Sequence, residues 1–264
     1  AAVPLGRSLA QRIGAGAGGR LGQCVVAVDA HAFANTRTVA SSAAFPAVTR
    51  VPRSSRSKLD GCPEVVISCG HWDNTLTVTA IKGDGGARVL QRVSVGMDSV
   101  IQCVAASRSG GLVATGCAQS QVLVWSLAPG AHPSGAKRGT VLAAHPHAML
   151  YGHESGVVAV AVESSLDAVV SGASDGRVLM HSLSDGEVMH ELVGAGGGAV
   201  AFVGLSALSH AVSYHAETGA VRVFAYNGEL LCEEELSSGA SAMLLSRDGR
   251  YLYLASDEGE VEVR

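Results

Sequence analysis

A pattern of three apolar runs separated by small polar clusters constrains this chain more than any other feature. Between Leu150 and Leu183 the sequence reads LYGHESGVVAVAVESSLDAVVSGASDGRVLMHSL. The runs concentrate or alternate Val, Ala, Leu and Met, and the clusters GHESG, ESSLD and SGASDG separate them. The pattern predicts three short β-strands joined by tight turns. Three strands in so short a stretch need neighbouring sheets to cover them.

Related units recur along the rest of the sequence. They lie at 65–81, 100–127, 150–183, 199–226 and 241–264, and single apolar runs such as RVLQRVSV, HAMLYGH, EVMHELVG and GELLCEEELS lie between them. A unit of about four strands and about 40 residues is typical of a β-propeller blade. We therefore expect an all-β protein with about five blades.

The N-terminal part differs in composition from the repeats. Residues 1–22 contain three arginines, no acidic residue and a Gly/Ala run, which predicts a flexible linker and is also typical of an organelle transit peptide. The propeller is expected at 23–264, with QCVVAV at 23–28 as its first strand. A long loop is expected at about 31–63, where Ala, Ser, Thr and Arg predominate.

Charge and cysteine usage exclude some classes of function. The net charge is −4 and no Lys/Arg block occurs, so we expect no nucleic-acid partner. No CxxC pair occurs and the cysteines are widely spaced, which predicts free buried thiols in a reducing, cytoplasmic compartment rather than disulfides. The six cysteines are Cys24, Cys62, Cys69, Cys103, Cys117 and Cys232.

The uncharged interval 192–216 is long enough to span a membrane. Its glycine cluster, two histidines and several serines oppose that reading, and the same letters divide into a strand AVAFVGLS, a turn and a strand HAVSYHA. We therefore expect any membrane association to be indirect. The acidic run Glu233–Glu235 predicts an outer edge strand whose charges discourage unwanted pairing.

The repeats resemble the WD40 family. In that family a Gly-His pair precedes the first strand of a unit, a Ser and a turn Asp follow on the second, and a Trp ends the third. The resemblance implies that these side chains brace the blades by hydrogen bonds. The matching residues are His153, Ser171, Asp175, Asp73, Trp125 and Asp257. Departures occur where His181 and Phe224 stand in the Trp position and Gln119 replaces a turn Asp.

A narrower resemblance is to the C-terminal propeller of BEACH-domain proteins of the neurobeachin and beige-like group. It rests on WDN at 72–74, HSL at 181–183 and NGELL at 227–231. It implies a non-catalytic cytoplasmic scaffold at endomembranes, preceded by a BEACH domain, that binds proteins through its rim loops in vesicle trafficking or autophagy. No cofactor is implied.

The WD40 resemblance also implies about seven blades, whereas five are counted. We expect an incomplete ring whose last unit, with Leu252, Leu254 and Val261, is incompletely covered and promotes self-association.

An enzymatic alternative rests on His145, His147 and His153. The HPH and GH pairs suggest a metal site, although no cysteine or paired carboxylate follows at ligand spacing. His153, Ser171 and Asp175 also have the residue types of a hydrolytic triad, but SGASDG lacks the GxSxG turn. A metal-dependent enzyme or propeller hydrolase therefore stays the alternative, and one ordered histidine cluster would favour it.

Overall fold

The computed structural model confirms an all-β architecture. It describes residues 3–4, 47–50, 64–69, 74–81, 87–96, 99–107, 111–127, 142–195, 197–236, 239–246, 249–256 and 259–264. Within these ranges, twenty strands form five four-stranded sheets, and the helical structure is one short 3-10 turn at Ser164–Leu166. We call the sheets blades 1 to 5 in chain order.

The strands of each blade are antiparallel neighbours in the sheet. Blade 1 contains β2 (Ala47–Arg50), β3 (Glu64–Ser68), β4 (Thr75–Ile81) and β5 (Ala87–Ser94). Blade 2 contains β6 (Ile101–Ala106), β7 (Leu112–Cys117), β8 (Val122–Ser126) and β9 (Ala148–Leu150). Blade 3 contains β10 (Val157–Glu163), β11 (Ala168–Ala173), β12 (Val178–Ser182) and β13 (Val188–Glu191). Blade 4 contains β14 (Val200–Leu205), β15 (His210–His215), β16 (Ala220–Ala225) and β17 (Leu230–Glu235). Blade 5 contains β18 (Ala240–Leu245), β19 (Leu252–Ser256), β20 (Glu260–Val263) and β1 (Val3–Pro4).

The core lies between consecutive blades rather than inside one sheet. Each strand alternates its side chains between two faces, so one face of a blade packs against the preceding blade and the other against the following one. In blade 3, for example, Val160 and Val169 pack toward blade 2, whereas Val170 and Met180 pack toward blade 4. This arrangement explains why β11 and β12 are buried along their whole length.

Two glycines allow neighbouring blades to approach closely. A Cβ atom on Gly172 of β11 would lie 2.4 Å from Val200 Cγ1 of blade 4, and one on Gly116 of β7 would lie 2.6 Å from Val157 Cγ1 of blade 3. At each of these glycines, a valine of the first strand of the next blade contacts the backbone of the second strand directly, because glycine has no side chain. The second glycine of the predicted SGASDG turn, Gly176, adopts a left-handed φ of 89°.

Two short strands lie in the N-terminal part of the chain. Val3–Pro4, inside the predicted linker, pairs with β20 and supplies the fourth strand of blade 5. The predicted loop at 31–63 contains β2, which pairs with β3 along Ala47–Arg50. Strands of two and four residues are too short to show a hydrophobic periodicity in the sequence. The strand β1 also pairs with a segment far from it in the sequence. The predicted strand at 23–28 lies outside the described residues.

Blade 5 is covered on one face. Leu254 is 4 % exposed. Together with Met243 of the same blade, it packs against Val212 of blade 4. The prediction that Leu252 and Leu254 line the uncovered face is therefore wrong. The exposed face carries Leu244 and Val263 instead, because register places these residues and Leu254 on opposite sides of the sheet. Val261 lies on that exposed side.

Candidate functional site

The most polar part of the core lies in blade 3. His153 precedes β10 and its Nε2 lies 2.8 Å from Ser171 Oγ on β11, and both residues are buried. His181 on β12 occupies the expected tryptophan position, and its Nε2 lies 3.0 Å from the Tyr151 carbonyl oxygen. The loop before β10 is thus tied to both central strands of its own blade.

The two histidine rings form a buried pair without a negative partner in direct contact. Their centroids are 6.4 Å apart, and neither Nδ1 atom has a hydrogen-bond partner among the described residues. Burial and, to a smaller extent, the nearby His181 lower the pKa of His153 to about 4. Burial also lowers the pKa of His181. Both rings are therefore neutral at physiological pH, which suits a structural brace rather than a proton-transfer pair.

Asp175 lies in the expected turn between β11 and β12, but its carboxylate makes a different hydrogen bond from the one expected. Its Oδ1 accepts a hydrogen bond from the Arg177 backbone N–H at 3.0 Å, and its own N–H donates to Ser155 Oγ at 3.1 Å. The residue is exposed and makes no hydrogen bond to His153. The expectation that its carboxylate braces the blade through buried bonds is therefore corrected: it caps its own turn, because the SGASDG backbone directs it outward.

Blade 2 contains a different polar pair at the equivalent strands. Trp125 Nε1 donates to Thr115 Oγ1 at 3.1 Å, and both side chains are buried. Gln119 replaces the turn aspartate, and its Oε1 accepts the Val100 N–H at 2.8 Å. Sequence analysis missed Thr115, although it stands at the same strand position as Ser171.

Asn74 links blade 1 to blade 2. It adopts a left-handed φ of 51°, which Asn tolerates better than most residues. Its Nδ2 donates to the carbonyl oxygens of Gly96 and Ser99, at 2.6 and 2.7 Å, and its Oδ1 accepts the Ile101 N–H at 3.0 Å. Asn74 is the last residue of the WDN motif at 72–74. The sequence analysis used this motif only as evidence of family resemblance and did not predict the hydrogen bonds of Asn74. Asp73 and Asp257, two of the residues expected to brace blades, lie outside the described residues.

Blade 4 holds a buried cation that sequence analysis missed. Arg222 on β16 is 2 % exposed; its Nε donates to Glu233 Oε1 at 2.7 Å and its Nη1 lies 2.8 Å from His215 Nε2. Its second terminal nitrogen bonds the Ala195 carbonyl oxygen. Gly194 makes room, since a Cβ there would lie 2.3 Å from Arg222 Cδ. The sequence signal for this buried arginine was a single arginine within the apolar run AVRVFA, followed by a strand with three consecutive glutamates.

The acidic strand β17 is the outermost strand of blade 4, as predicted, and all six of its residues are exposed. Glu233 pairs with Arg222 of the same blade, whereas Glu234 pairs with Arg264 of blade 5. A cavity of about 200 Å³ lies between these two blades, with Val212, Leu252 and Leu254 among its apolar lining residues.

The histidines of the enzymatic alternative are not brought together. His145 and His147 are exposed in the loop before β9, whereas His153 is buried against Ser171. In the described part of the chain, no group of three or more His, Cys, Asp or Glu side chains is placed to hold a metal ion. The geometry therefore lacks the cluster that would favour a metal-dependent enzyme.

The cysteine prediction holds only in part. Among the described cysteines, Cys103 and Cys117 are free and buried, Cys69 is free and half-buried, and Cys232 is free but exposed on β17. Burial raises the pKa of Cys69 to about 12 and that of Cys117 to about 11. These two thiols therefore stay protonated and unreactive at neutral pH.

No helix within the described ranges has the length and apolar character needed to cross a membrane. The interval 192–216 contains β14 and β15, so the sequence prediction of two strands there is confirmed.

Comparison with known proteins agrees with this architecture. The family model described as "Neurobeachin beta propeller domain" matches residues 57–264. "BEACH domain-containing protein B" of Arabidopsis thaliana is 30% identical over 208 residues, which cover 75% of this chain. The match covers 8% of that relative, so the chain spans a small part of its length. The narrower resemblance drawn from the sequence is thereby confirmed.

Proposed function

This chain belongs to the neurobeachin β-propeller family, and we propose that it is a non-catalytic scaffold that binds other proteins through the loops at the rim of its blades. In the longer protein we propose that it follows a BEACH domain, resides in the cytoplasm at the surface of endomembranes, and serves vesicle trafficking or autophagy. The name of the relative supports the BEACH domain alone. The cytoplasmic location at endomembranes and the role in trafficking or autophagy rest on the resemblance to BEACH-domain proteins drawn from the sequence.

The observation that carries the proposal is how the polar core is used. His153, Ser171 and Arg222 all make hydrogen bonds between elements of their own blade, where they fix loop positions. Rigid strands that hold variable loops supply recognition without a reacting group. The blades are therefore suited to presenting a fixed surface.

The rim of blade 3 is the surface that we propose for recognition. Arg177 is paired with Glu191 at 2.9 Å and with Glu154 at 3.5 Å, and these side chains remain partly exposed beside Asp175. Such charges at the edge of an interface affect association rate and specificity.

Proximity labelling in cells tests the proposal, using the chain fused to a labelling enzyme. We expect neighbours enriched in proteins of vesicle trafficking or autophagy, and we expect Arg177→Glu with Asp175→Lys to reduce that enrichment without changing the thermal midpoint. The matched control is Leu231→Glu, which changes an exposed residue of blade 4 away from this rim. A neighbour set that both variants leave unchanged would contradict the choice of rim, and a set without trafficking or autophagy proteins would contradict the function.

A further inference from the structure

Arg264 stands at a position where three other blades place an aromatic ring. It exchanges two backbone hydrogen bonds with Leu252, which in turn pairs with Leu245 of β18. The same register position on the third strand of blades 2, 3 and 4 holds Trp125, His181 and Phe224. Each of these rings is at most 1 % exposed. Blade 5 therefore has an arginine where blades 2 to 4 have a buried ring.

A cavity takes the place of that ring in blade 5. Trp125 packs against residues of blade 1 and Phe224 against residues of blade 3, so a ring at position 264 would face blade 4. The cavity of about 200 Å³ between blades 4 and 5 lies on this side of Arg264. Its apolar lining residues include Val212, Val221, Val223, Leu245, Leu252 and Leu254.

The Arg264 side chain does not fill this space, because two carboxylates hold it near the surface. It forms an ion pair with Glu234 of blade 4, and its Nη2 lies 3.0 Å from Glu262 Oε1. The side chain stays 37 % exposed. Cys232, Glu234 and Tyr251 are exposed residues that also line the cavity, so the cavity opens to the surface of the molecule.

The size and the lining of the cavity fit a phenyl ring. An apolar cavity of about 150 Å³ is large enough to take up benzene. In blade 2 the indole N–H of Trp125 donates to Thr115 Oγ1, whereas Leu254 stands at the position of Thr115 in blade 5. A ring without a polar group therefore suits this cavity better than an indole or a phenol.

The charged residues of the cavity favour a ring that lies next to a negative charge. Arg250 and Arg264 line it together with one glutamate, Glu234. A guanidinium attracts the face of an aromatic ring. The excess of positive over negative charge in this lining favours an acidic residue in the partner.

We propose that the cavity between blades 4 and 5 binds a phenylalanine side chain of a partner protein, presented in a segment that also carries an acidic residue. The residues that line this site belong to blades 4 and 5 and not to the rim of blade 3. The proposal therefore goes beyond the recognition proposed for that rim, and its test does not depend on it.

Methyl NMR of the full chain tests the proposal with N-acetyl-L-phenylalanine, which joins a phenyl ring to a carboxylate. We expect saturable shifts of the methyl resonances of Val212, Leu252 and Leu254. N-acetyl-L-alanine lacks the ring and should bind roughly tenfold to hundredfold more weakly. A parent chain that does not bind N-acetyl-L-phenylalanine at these methyl groups would overturn the proposal.

Filling the cavity from within should abolish this binding. Arg264→Phe supplies a ring at the position that Phe224 occupies in blade 4, so we expect the methyl shifts to disappear while the chain stays folded. Val263→Phe is the matched control, because it adds the same ring on the opposite, exposed face of blade 5 and should retain the binding. If Arg264→Phe does not fold, Cys232→Phe fills the cavity from an exposed position and takes its place. Unchanged binding in the filled variant would overturn the proposal.

Selection from a random peptide library tests whether the ring comes from a protein. We expect peptides that bind the parent chain, and not Arg264→Phe, to contain a phenylalanine with an aspartate or glutamate close to it. Selected peptides without an aromatic residue would overturn the proposal. Binding of N-acetyl-L-phenylalanine without any selected peptide would also overturn it, because the cavity would then be a site for small molecules. A mass that doubles as concentration rises, and that N-acetyl-L-phenylalanine restores to that of one chain, would show that a second copy is the occupant and would likewise overturn it.

Discussion

At the scale of single residues, the hydrogen bond between His153 and Ser171 is the best-defined brace in the molecule. We expect Ser171→Ala to lower the free energy of unfolding by about 1–3 kcal/mol, because it leaves a buried imidazole nitrogen without its partner. Asp175→Ala is the control, and its exposed turn should cost less than about 0.5 kcal/mol. Urea denaturation of both variants measures the difference. Equal midpoints for the two would contradict the assignment of the brace to Ser171.

The same pair of histidines gives stability a defined pH dependence. An unfolded histidine has its ordinary pKa near 6.5, whereas burial lowers the pKa of His153 in the folded chain to about 4. Between these values the unfolded state binds more protons, so the free energy of unfolding should fall as pH drops from about 6.5 to about 4. His181, Asp175 and Arg177 also act on this site.

Thermal unfolding across this pH range checks the prediction. His153→Gln should flatten the dependence, since it removes the group that the unfolded state protonates more readily. His145→Gln changes an exposed histidine outside the blade and should retain the slope of the parent. A His153→Gln profile that matches the parent would assign the slope to other groups.

Single residues also mark the limit of what sequence could predict. His153 and Ser171 were found because the Gly-His and Ser-Gly strings are local patterns. Asp175 belonged to the same strings, yet the direction of its carboxylate depends on the turn backbone, which spacing does not encode. Arg222 was missed because its burial depends on room at Gly194 and on a glutamate across the sheet.

At the scale of strands, adjacent glutamates on β17 form two ion pairs that differ in the burial of the arginine, which is buried at Arg222 and partly exposed at Arg264. Glu233→Ala leaves the Arg222 guanidinium buried without its carboxylate, so we expect a loss of about 3–5 kcal/mol. Glu234→Ala removes an exposed partner of Arg264 and should change stability by less than about 1 kcal/mol. Chemical denaturation distinguishes the two, and similar losses would contradict the burial of Arg222.

The contact of blade 3 with blade 4 at Gly172 gives a second prediction for strands. Gly172→Ala places a methyl group against Val200, so blade 4 has to shift, and we expect a loss of about 1–3 kcal/mol. Gly197→Ala is the control, because no atom lies within 4 Å of its added Cβ. Calorimetry should show a lower thermal midpoint for the first variant alone. A stable Gly172→Ala would mean that the blades pack less closely than the structure shows.

Strands within the repeats were predictable because their alternation and their turn residues are local. β1 and β2 were not, since two or four residues carry no period and β1 pairs with residues near position 260. The pairing partner of such a strand is decided by the assembled sheets.

At the scale of the whole molecule, the packing between consecutive blades contributes much of the stability. Blades 2, 3 and 4 each pack against a neighbour on two faces, so we expect the slowest amide exchange in β11 and β12 and faster exchange in β19 and β20. Native-state exchange under mild denaturant measures this order. A uniform rate across all blades would indicate one global unfolding unit instead of a graded array.

The pairing of β1 with β20 places two distant parts of the sequence side by side. Val3 lies opposite Val261 and Pro4 opposite Glu260, so residues near both ends of this sequence share one sheet. A pulling force applied at positions 3 and 264 would act first on two residue pairs, and it would open them one after the other before any other blade carried tension. A weak force would then detach the short strand β1 from blade 5, while blades 2 to 4 stayed folded.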